Sequence, residues 1–412
     1  MGLILRLAWR NIFRNKRRTA LTLAAAVFAV VLLVHMIALT TGVHERMIED
    51  NVRMHAGHLQ LTGAGYLEDR TLERFVEWTP QLAAAIDGTR GVAAAAPRVN
   101  GFALLSNGPA SQGTLLLGVD PDREALVSTW PQRVVSGAFL GGAPTREILL
   151  GERLAETLGV ELGDEVLVYT VAYTLENAYE LFRVRGLIRA PDPRLERSLA
   201  LISLADAQAL FAYEARVSEV AMLARDASRL DETRAELLAR LRPLERRAVD
   251  VNPWPVVMPE LAQLIRIDDI QNYSMLAILV VVVAFGILNT ILMSVLERQR
   301  ELGVMLALGL APRGIFRLVY VESLLLSGLG LALGLALAVP AALYMQGHPI
   351  PITGDIQSLT EMFGAAPVVT WRLSAWNPAL ATLLMIAIAT LAALYPAAKA
   401  ASARPVDALR SL

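Results

Sequence analysis

Four long apolar runs constrain this chain more than any other feature of its 412 residues. They extend from Thr19 to Thr41, Tyr273 to Leu296, Phe316 to Met345 and Pro378 to Pro396. A bilayer core ~30 Å thick is crossed by about 20 helical residues, so each run is long enough to span one. The third run is the longest and must tilt, kink or protrude; Pro340 near its end offers a kink. Composition agrees, with 55% hydrophobic and 19% charged residues and a mean hydropathy of +0.46. That is too apolar for an ordinary soluble chain. The segment between the first two runs, at ~230 residues, can build a packed core of its own. The expected fold class is therefore an α-helical membrane protein with four transmembrane helices plus a large α+β extracytoplasmic domain inserted between helices 1 and 2.

Basic residues set the expected orientation. Arg6, Arg10, Arg14, Lys16, Arg17 and Arg18 precede the first run. Arg298, Arg300, Arg313 and Arg317 lie between the second and third, and Lys399, Arg404 and Arg410 follow the fourth. Arg372 alone serves the stretch from Gln346 to Asn377. The positive-inside rule puts both termini and the 297–315 connector in the cytoplasm. The expected division is 1–18 as a cytoplasmic amphipathic N-terminal helix and 19–41 as the first span. The outside domain with its stalks takes 42–272, the second span 273–296, the connector 297–315 and the third span 316–345. An outside loop, 346–377, leads to the fourth span at 378–396 and a cytoplasmic tail at 397–412. The first run is too long for a cleaved signal peptide and is followed by no small-x-small cleavage site. There is no cysteine, so the outside domain must fold without disulfides in a compartment that permits them.

Patterning inside 42–272 mixes strands with helices. Gly57 to Gly63, Arg98 to Leu105, Gly113 to Val119, Glu147 to Leu150, Glu165 to Thr170, Leu181 to Leu187 and Leu199 to Ile202 read as strands. Pro80 to Ile86, Glu152 to Leu158, Ala205 to Phe211 and Leu230 to Leu241 read as helices, and Asn107, Gly108 and Pro109 mark a turn. The proline-rich stretch from Asn252 to Pro259 reads as a stiff return toward the membrane. Met47 to Met54 and Leu261 to Asp269 read as helical continuations of the first two spans.

Few residues invite chemistry. GxxxxGK[ST] does not occur, so these residues form no P-loop for a nucleotide. His44, His55 and His58 lie close together outside the first span, but their spacing fits no standard helix-face ligand pair; they read as polar surface, and no metal is expected. His35 within the first span reads as hydrogen-bonded to a neighbouring span. Glu322, about 9 Å inside the third run at ~1.5 Å per residue, is read as a structural carboxylate paired with connector arginines in preference to a proton relay, since no second membrane carboxylate could receive a proton. Gly330 and Gly334 form GxxxG and let helices approach closely, within this chain or against a second subunit. At the N-terminus, Leu7, Trp9, Ile12 and Phe13 alternate with arginines as in an interfacial helix. Tyr395 and Pro396 are expected to stop the fourth span.

The connector is the most specific element. It begins ERQRE, Glu297 to Glu301, and continues with Leu302, Val304, Met305, Leu306 and Leu308. Charges beside a bulky apolar stripe suit a short helix that docks on a partner. The expected contact set is Glu297, Arg298, Arg300, Glu301, Leu302, Met305 and Leu308. At the outer ends of the first two spans, Val34, Ile37, Leu39, Met275, Leu276 and Leu279 are all apolar. They are candidates to line a lipid-accessible cavity, or else pack between spans.

Four stretches carry a family resemblance: WRNIFRNKRRT, ERQRELGVMLALG followed by VESLLLSGLGLALG, YPAAKAASARPVDAL, and LGVELGDEV in the outside domain. Together they resemble the FtsX-like ABC-transporter permeases, which include macrolide-exporter and lipoprotein-releasing permeases. The resemblance implies a dimer of permeases, the same or homologous, and two copies of a separate ABC ATPase that bind ATP and Mg²⁺ and grip the connector as a coupling helix. It implies mechanotransmission, in which ATP-driven closure moves the outside domains. The layout is most similar to the lipoprotein-releasing subunits, with membrane lipid and a periplasmic lipoprotein carrier or adaptor as further partners, an inner-membrane location and no nucleic acid. A tripartite-efflux permease for small molecules, and a transmembrane transmitter that activates a cell-wall hydrolase, remain as alternatives. The stretch Arg189 to Arg197 matches a partner-binding loop by position only.

Overall fold

The apolar runs become four long helices: α1 (Lys16–Met54), α2 (Pro259–Glu297), α3 (Pro312–Gly347) and α4 (Trp376–Ala401). By length and composition each can cross a membrane. The computed structural model describes residues 6–10, 16–142, 145–190, 193–244, 247–354 and 368–402. Ile12, Phe13, Met362, Phe363 and the tail from Ala403 lie outside the described residues. Helices α1 and α2 overrun their apolar cores, as their flanking sequence suggested. The added turns of α1 carry ion pairs at helical spacing, Arg46–Asp50 at 3.3 Å and Arg53–Glu49 at 2.6 Å, which support exposed helix. Proline does not end α4 as expected. The helix passes Pro396 and reaches Ala401, because Ala397 and Ala400 are buried against Val295, Leu302, Ile315 and Val319. That packing outweighs the loss of one backbone hydrogen bond.

Two compact units divide the chain. The helical unit takes the described parts of Met1–Glu45, Ile265–Ile352 and Val368–Leu412. Val30, Leu33 and Val34 of α1, Ile287 and Ile291 of α2, Ala338 of α3 and Met385 and Ile388 of α4 form its core. Gly330 and Gly334 lie against α1. A Cβ on Gly330 would stand 2.4 Å from the Cβ of Ala26, and one on Gly334 would stand 2.6 Å from that of Val30. Only glycine permits backbones so close. His35 finds a partner in its own helix, where Nδ1 lies 3.0 Å from the Val31 carbonyl one turn back. The return before α4 is tied to α1 by Arg372 N donating to the Ala38 carbonyl at 2.9 Å and Thr370 Oγ1 to that of Gly42 at 3.1 Å.

The sheet unit contains Arg46–Leu264. The strands of its main sheet are β1 (Leu59–Gly63), β2 (Val92–Asn107), β3 (Ala110–Val119), β4 (Val134–Gly137), β5 (Glu147–Gly151), β6 (Glu165–Val171), β7 (Asn177–Ile188), β8 (Leu199–Ser203), β9 (Glu219–Ala224) and β10 (Val249–Pro253). They form one mixed sheet in the order β10-β1-β9-β2-β3-β8-β5-β7-β4, with β6 pairing β2 and β7. Most pairs are antiparallel, but β3–β8 and β5–β7 run parallel. The largest core lies on the face bearing Leu59, Leu61, Val99, Leu105, Leu116, Ile148, Val166, Phe182 and Ile202. The proline-rich return is partly strand: Val249–Pro253 pairs with β1 before the helical turn Trp254–Val257. Its backbone groups are satisfied by the ladder, which local sequence did not announce. Within Arg189 to Arg197, Pro193–Glu196 is a helical turn; Pro191 and Asp192 are outside the described residues.

Candidate functional site

The connector is shorter than its sequence span. Helix α2 ends at Glu297, a separate helix runs Gln299–Ala307, and Pro312 opens α3. Gly309, at a φ of 95°, makes the turn between them. At the junction, Arg298 Nη1 donates to both carboxylate oxygens of Glu322, each at 2.9 Å, and Nε donates to Glu301 at 3.1 Å. Arg298 is 9% exposed and Glu322 6%. A buried ion pair of this kind fixes geometry more than it stabilises, since desolvation consumes much of the Coulombic gain. It welds the start of the connector to the body of α3.

The seven expected contact residues separate by helical period. Leu302 is 2% exposed and belongs to the core made with Val295, Ile315 and Val319; Met305 and Leu306 pack against it. Leu302 therefore faces its own chain. Arg298 is buried in the clamp. Glu297, Arg300 and Leu308 face outward together with Val304, and Leu308 is 83% exposed.

The candidate cavity set also divides. Val34 is buried in the interhelical core, with Ile37, Leu276 and Leu279 half-buried around it. Leu39 is half-buried and Met275 exposed. Four of the six thus help to hold helix to helix. Helix α2 is distinctive: only 11% of its most apolar window is buried, and Ile278, Val282 and Phe285 are exposed. A helix apolar all round needs lipid or another protein on its open faces.

The sheet unit also holds a buried polar network, which the sequence reading missed. Arg98 forks onto Glu124, with Nε and Nη2 at 3.0 and 2.7 Å from its two oxygens. Nη1 donates to the His55 carbonyl and lies 3.6 Å from Glu219. Asn100 Nδ2 donates to Glu219 at 2.7 Å. Burial pulls the Arg98 guanidinium down, but Glu124 and Glu219 together raise it above its usual range. Burial raises the Glu219 carboxyl, and Arg98 offsets this only in part because its fork is spent on Glu124. Burial, with Glu219 nearby, also pushes the Tyr66 hydroxyl up to about 12. The one available signal was three charged residues set among apolar ones at strand and helix spacing. An open cavity of about 920 Å³ borders this network.

The three outside histidines are not brought together as ligands. His44 lies 3.5 Å from Asp269. His58 is buried, contrary to the surface expectation, because it sits where β1 meets β9: its Nδ1 accepts from Ala224 N at 3.3 Å. Burial lowers its pKa, opposed by Glu49. Among the described residues no group of three His, Cys, Asp or Glu side chains could hold a metal ion.

Comparison with known proteins follows the same division. Residues 273–405 match the FtsX-like permease C-terminal family, and residues 19–240, more than half of the chain, match the MacB-like periplasmic core domain. The lipoprotein-releasing system transmembrane protein LolC of Neisseria meningitidis serogroup B is 24% identical over 406 residues, covering 95% of this chain and 94% of that relative. LolE of Haemophilus influenzae is 23% identical, covering 98% of each. The macrolide export ATP-binding/permease protein MacB of Rhodospirillum rubrum is 27% identical, covering 85% of this chain but only 54% of its own length.

Proposed function

We propose that this chain, which belongs to the FtsX-like permease family and carries a MacB-like periplasmic core domain, is the ABC-transporter subunit that releases lipoproteins or similar amphiphiles from the bacterial inner membrane. Its near full-length match to relatives named for lipoprotein release supports the substrate class. Two copies of a separate ATPase bind ATP and Mg²⁺ and grip the connector, and a second permease subunit covers the open faces of α2. Released substrate passes to a periplasmic carrier.

The observation that carries this reading is the connector. Its outer edge, Val304 and Leu308 beside Glu297 and Arg300, is uncovered, while its start is clamped by Arg298 to Glu322. A push on that edge enters α3 through the clamp and reaches α1 through the close contact at Gly330 and Gly334. The motion is transmitted mechanically. Efflux of small molecules is the second reading, supported by the match to a macrolide exporter.

Replacing Val304 and Leu308 by Asp is expected to abolish co-purification of the partner ATPase while membrane insertion stays normal. With photo-crosslinkers at Ile37 or Leu276, an acylated protein should be trapped and ATP should release it. Unchanged ATPase capture defeats the docking edge. Crosslinks to phospholipid alone, unaffected by ATP, put efflux ahead.

A further inference from the structure

The cavity of the sheet unit has the size and lining of a ligand site. Its volume of about 920 Å³ lies at the upper end of the usual range for small-molecule pockets, roughly 300–1,000 Å³. Register shows what one wall is made of. Directly paired residues share a sheet face, and Leu199 pairs with Leu115, which pairs with Phe102. Leu117, opposite Asn100, lies on the same face. Trp130 and Met54 close over it from outside the sheet. The wall is thus an apolar strip that ends inward at the Arg98–Glu219–Asn100 network.

The same face continues out of the cavity. Phe102 and Leu175, both lining residues, are 78% and 84% exposed, so they form an open mouth. Beyond Phe102 the next residue on that face is Leu104, paired with Tyr169, which is paired in turn with Tyr179. Leu167 pairs with Leu181 alongside. All five are exposed. Large apolar side chains in register across three strands, ~4.8 Å apart, make a contiguous patch of the kind that marks a binding surface. The lining also carries polar groups. Gln60 and Trp130 both line the cavity, and each keeps a buried polar atom without a hydrogen-bond partner among the described residues, the acceptor Oε1 and the donor Nε1. Neither is expected to stay unsatisfied.

We propose that this cavity and the strand face leading from it bind a single amphiphile with a long apolar tail and an amide-type head. The tail lies along Leu115, Phe102 and Leu104, and the head supplies the donor and acceptor that Gln60 and Trp130 lack. A rigid compact ligand would leave the outer strands uncovered, and a flat protein surface would leave the cavity unfilled. An acyl chain matches both parts. The choice of an acylated ligand rests on the reading of the chain as an amphiphile-releasing permease, and it places a second holding point for the tail outside the spans.

The test uses the full chain in nanodiscs and palmitoyl-glycinamide carrying a diazirine at the end of its acyl chain. Irradiation should label peptides containing Phe102, Leu115 or Leu175, and unlabelled palmitoyl-glycinamide should compete. Phe102→Glu with Leu175→Glu changes only exposed side chains and should cut the labelling about tenfold, as loss of an apolar anchor does. Leu115→Trp, which fills the strip, should cut it as well. Label confined to α1 and α2, near Ile37 and Leu276, overturns this site and leaves the lipoprotein-release reading standing. Equal labelling by an acetyl-length diazirine amide also overturns it, because the face is then merely sticky. If no label appears in either unit, and ATP has no effect, both this site and the release reading fail.

Discussion

Arg98 in the sheet unit and Arg298 in the helical unit are both buried against glutamates, yet they are built for different work. Arg98 is held by Glu124, Glu219 and the His55 carbonyl. Two of those partners come from the sheet and a helix packed on it, inside a single core. Arg298 sits at a joint: its partners are Glu301 in the connector and Glu322 in α3. The first network closes a fold. The second ties together two helices that the chain joins through only a short turn. Buried ion pairs held by several hydrogen bonds specify one arrangement wherever they occur; what they specify depends on whether the elements are otherwise free to separate.

The largest effect should come from breaking the closed network. Arg98→Met leaves Glu124, 0% exposed, and Glu219 without their cation. Removing one partner of a buried pair costs about 3–5 kcal/mol. Thermal unfolding of the purified chain should move down by several degrees and ATPase capture by the remaining folded protein should be unchanged. A midpoint within one degree of the parent would remove the distinction between the two arginines.

The joint is expected to respond more weakly in stability and more strongly in coupling. A double-mutant cycle with Arg298→Met and Glu322→Gln should give an interaction energy of about 0.5–3 kcal/mol. Arg298→Met alone should leave the ATPase bound while ATP hydrolysis no longer drives substrate release. Additive effects on stability, with release intact, would make the pair incidental.

The smallest effect is a slope. Burial raises the Glu219 carboxyl, so the folded state holds its proton in a pH window where the unfolded chain has lost it, beginning near the ordinary glutamate value of about 4.3. In that window the folded state binds more protons, and stability falls as pH rises. Glu219→Gln should flatten this fall, with each unit of pKa difference removed worth about 1.4 kcal/mol. Unfolding midpoints measured across that window would show it; an unchanged slope would mean that Arg98 already compensates Glu219 in full.

Much of the architecture was legible locally because apolar run length and periodicity are local properties. The four helices, the helical stalks past Thr41 and before Tyr273, the helix Leu230–Leu241 and the stop at Gly159 all follow from residues close in sequence. Strands β4, β9 and β10 were missed because their backbone partners are distant: β10 is defined by β1, nearly two hundred residues earlier. For the connector, composition revealed an amphipathic helix but not which residues its own chain would consume. Leu302 and Leu308 look alike in sequence, and only the packing of Val295, Ile315 and Ala397 makes one a core residue and leaves the other uncovered.

What the sequence determined alone was which four helices are long and apolar enough to cross a bilayer, together with the basic residues that flank the connector. Those follow from transfer free energies and charge, which each residue carries wherever it stands. Tertiary structure decided the rest: that Gly330 and Gly334 meet α1, that Arg298 reaches Glu322, and that Arg98, Gln60 and Trp130 border one cavity. These depend on which distant segments pack together, and burial changes what a side chain does only after that packing exists.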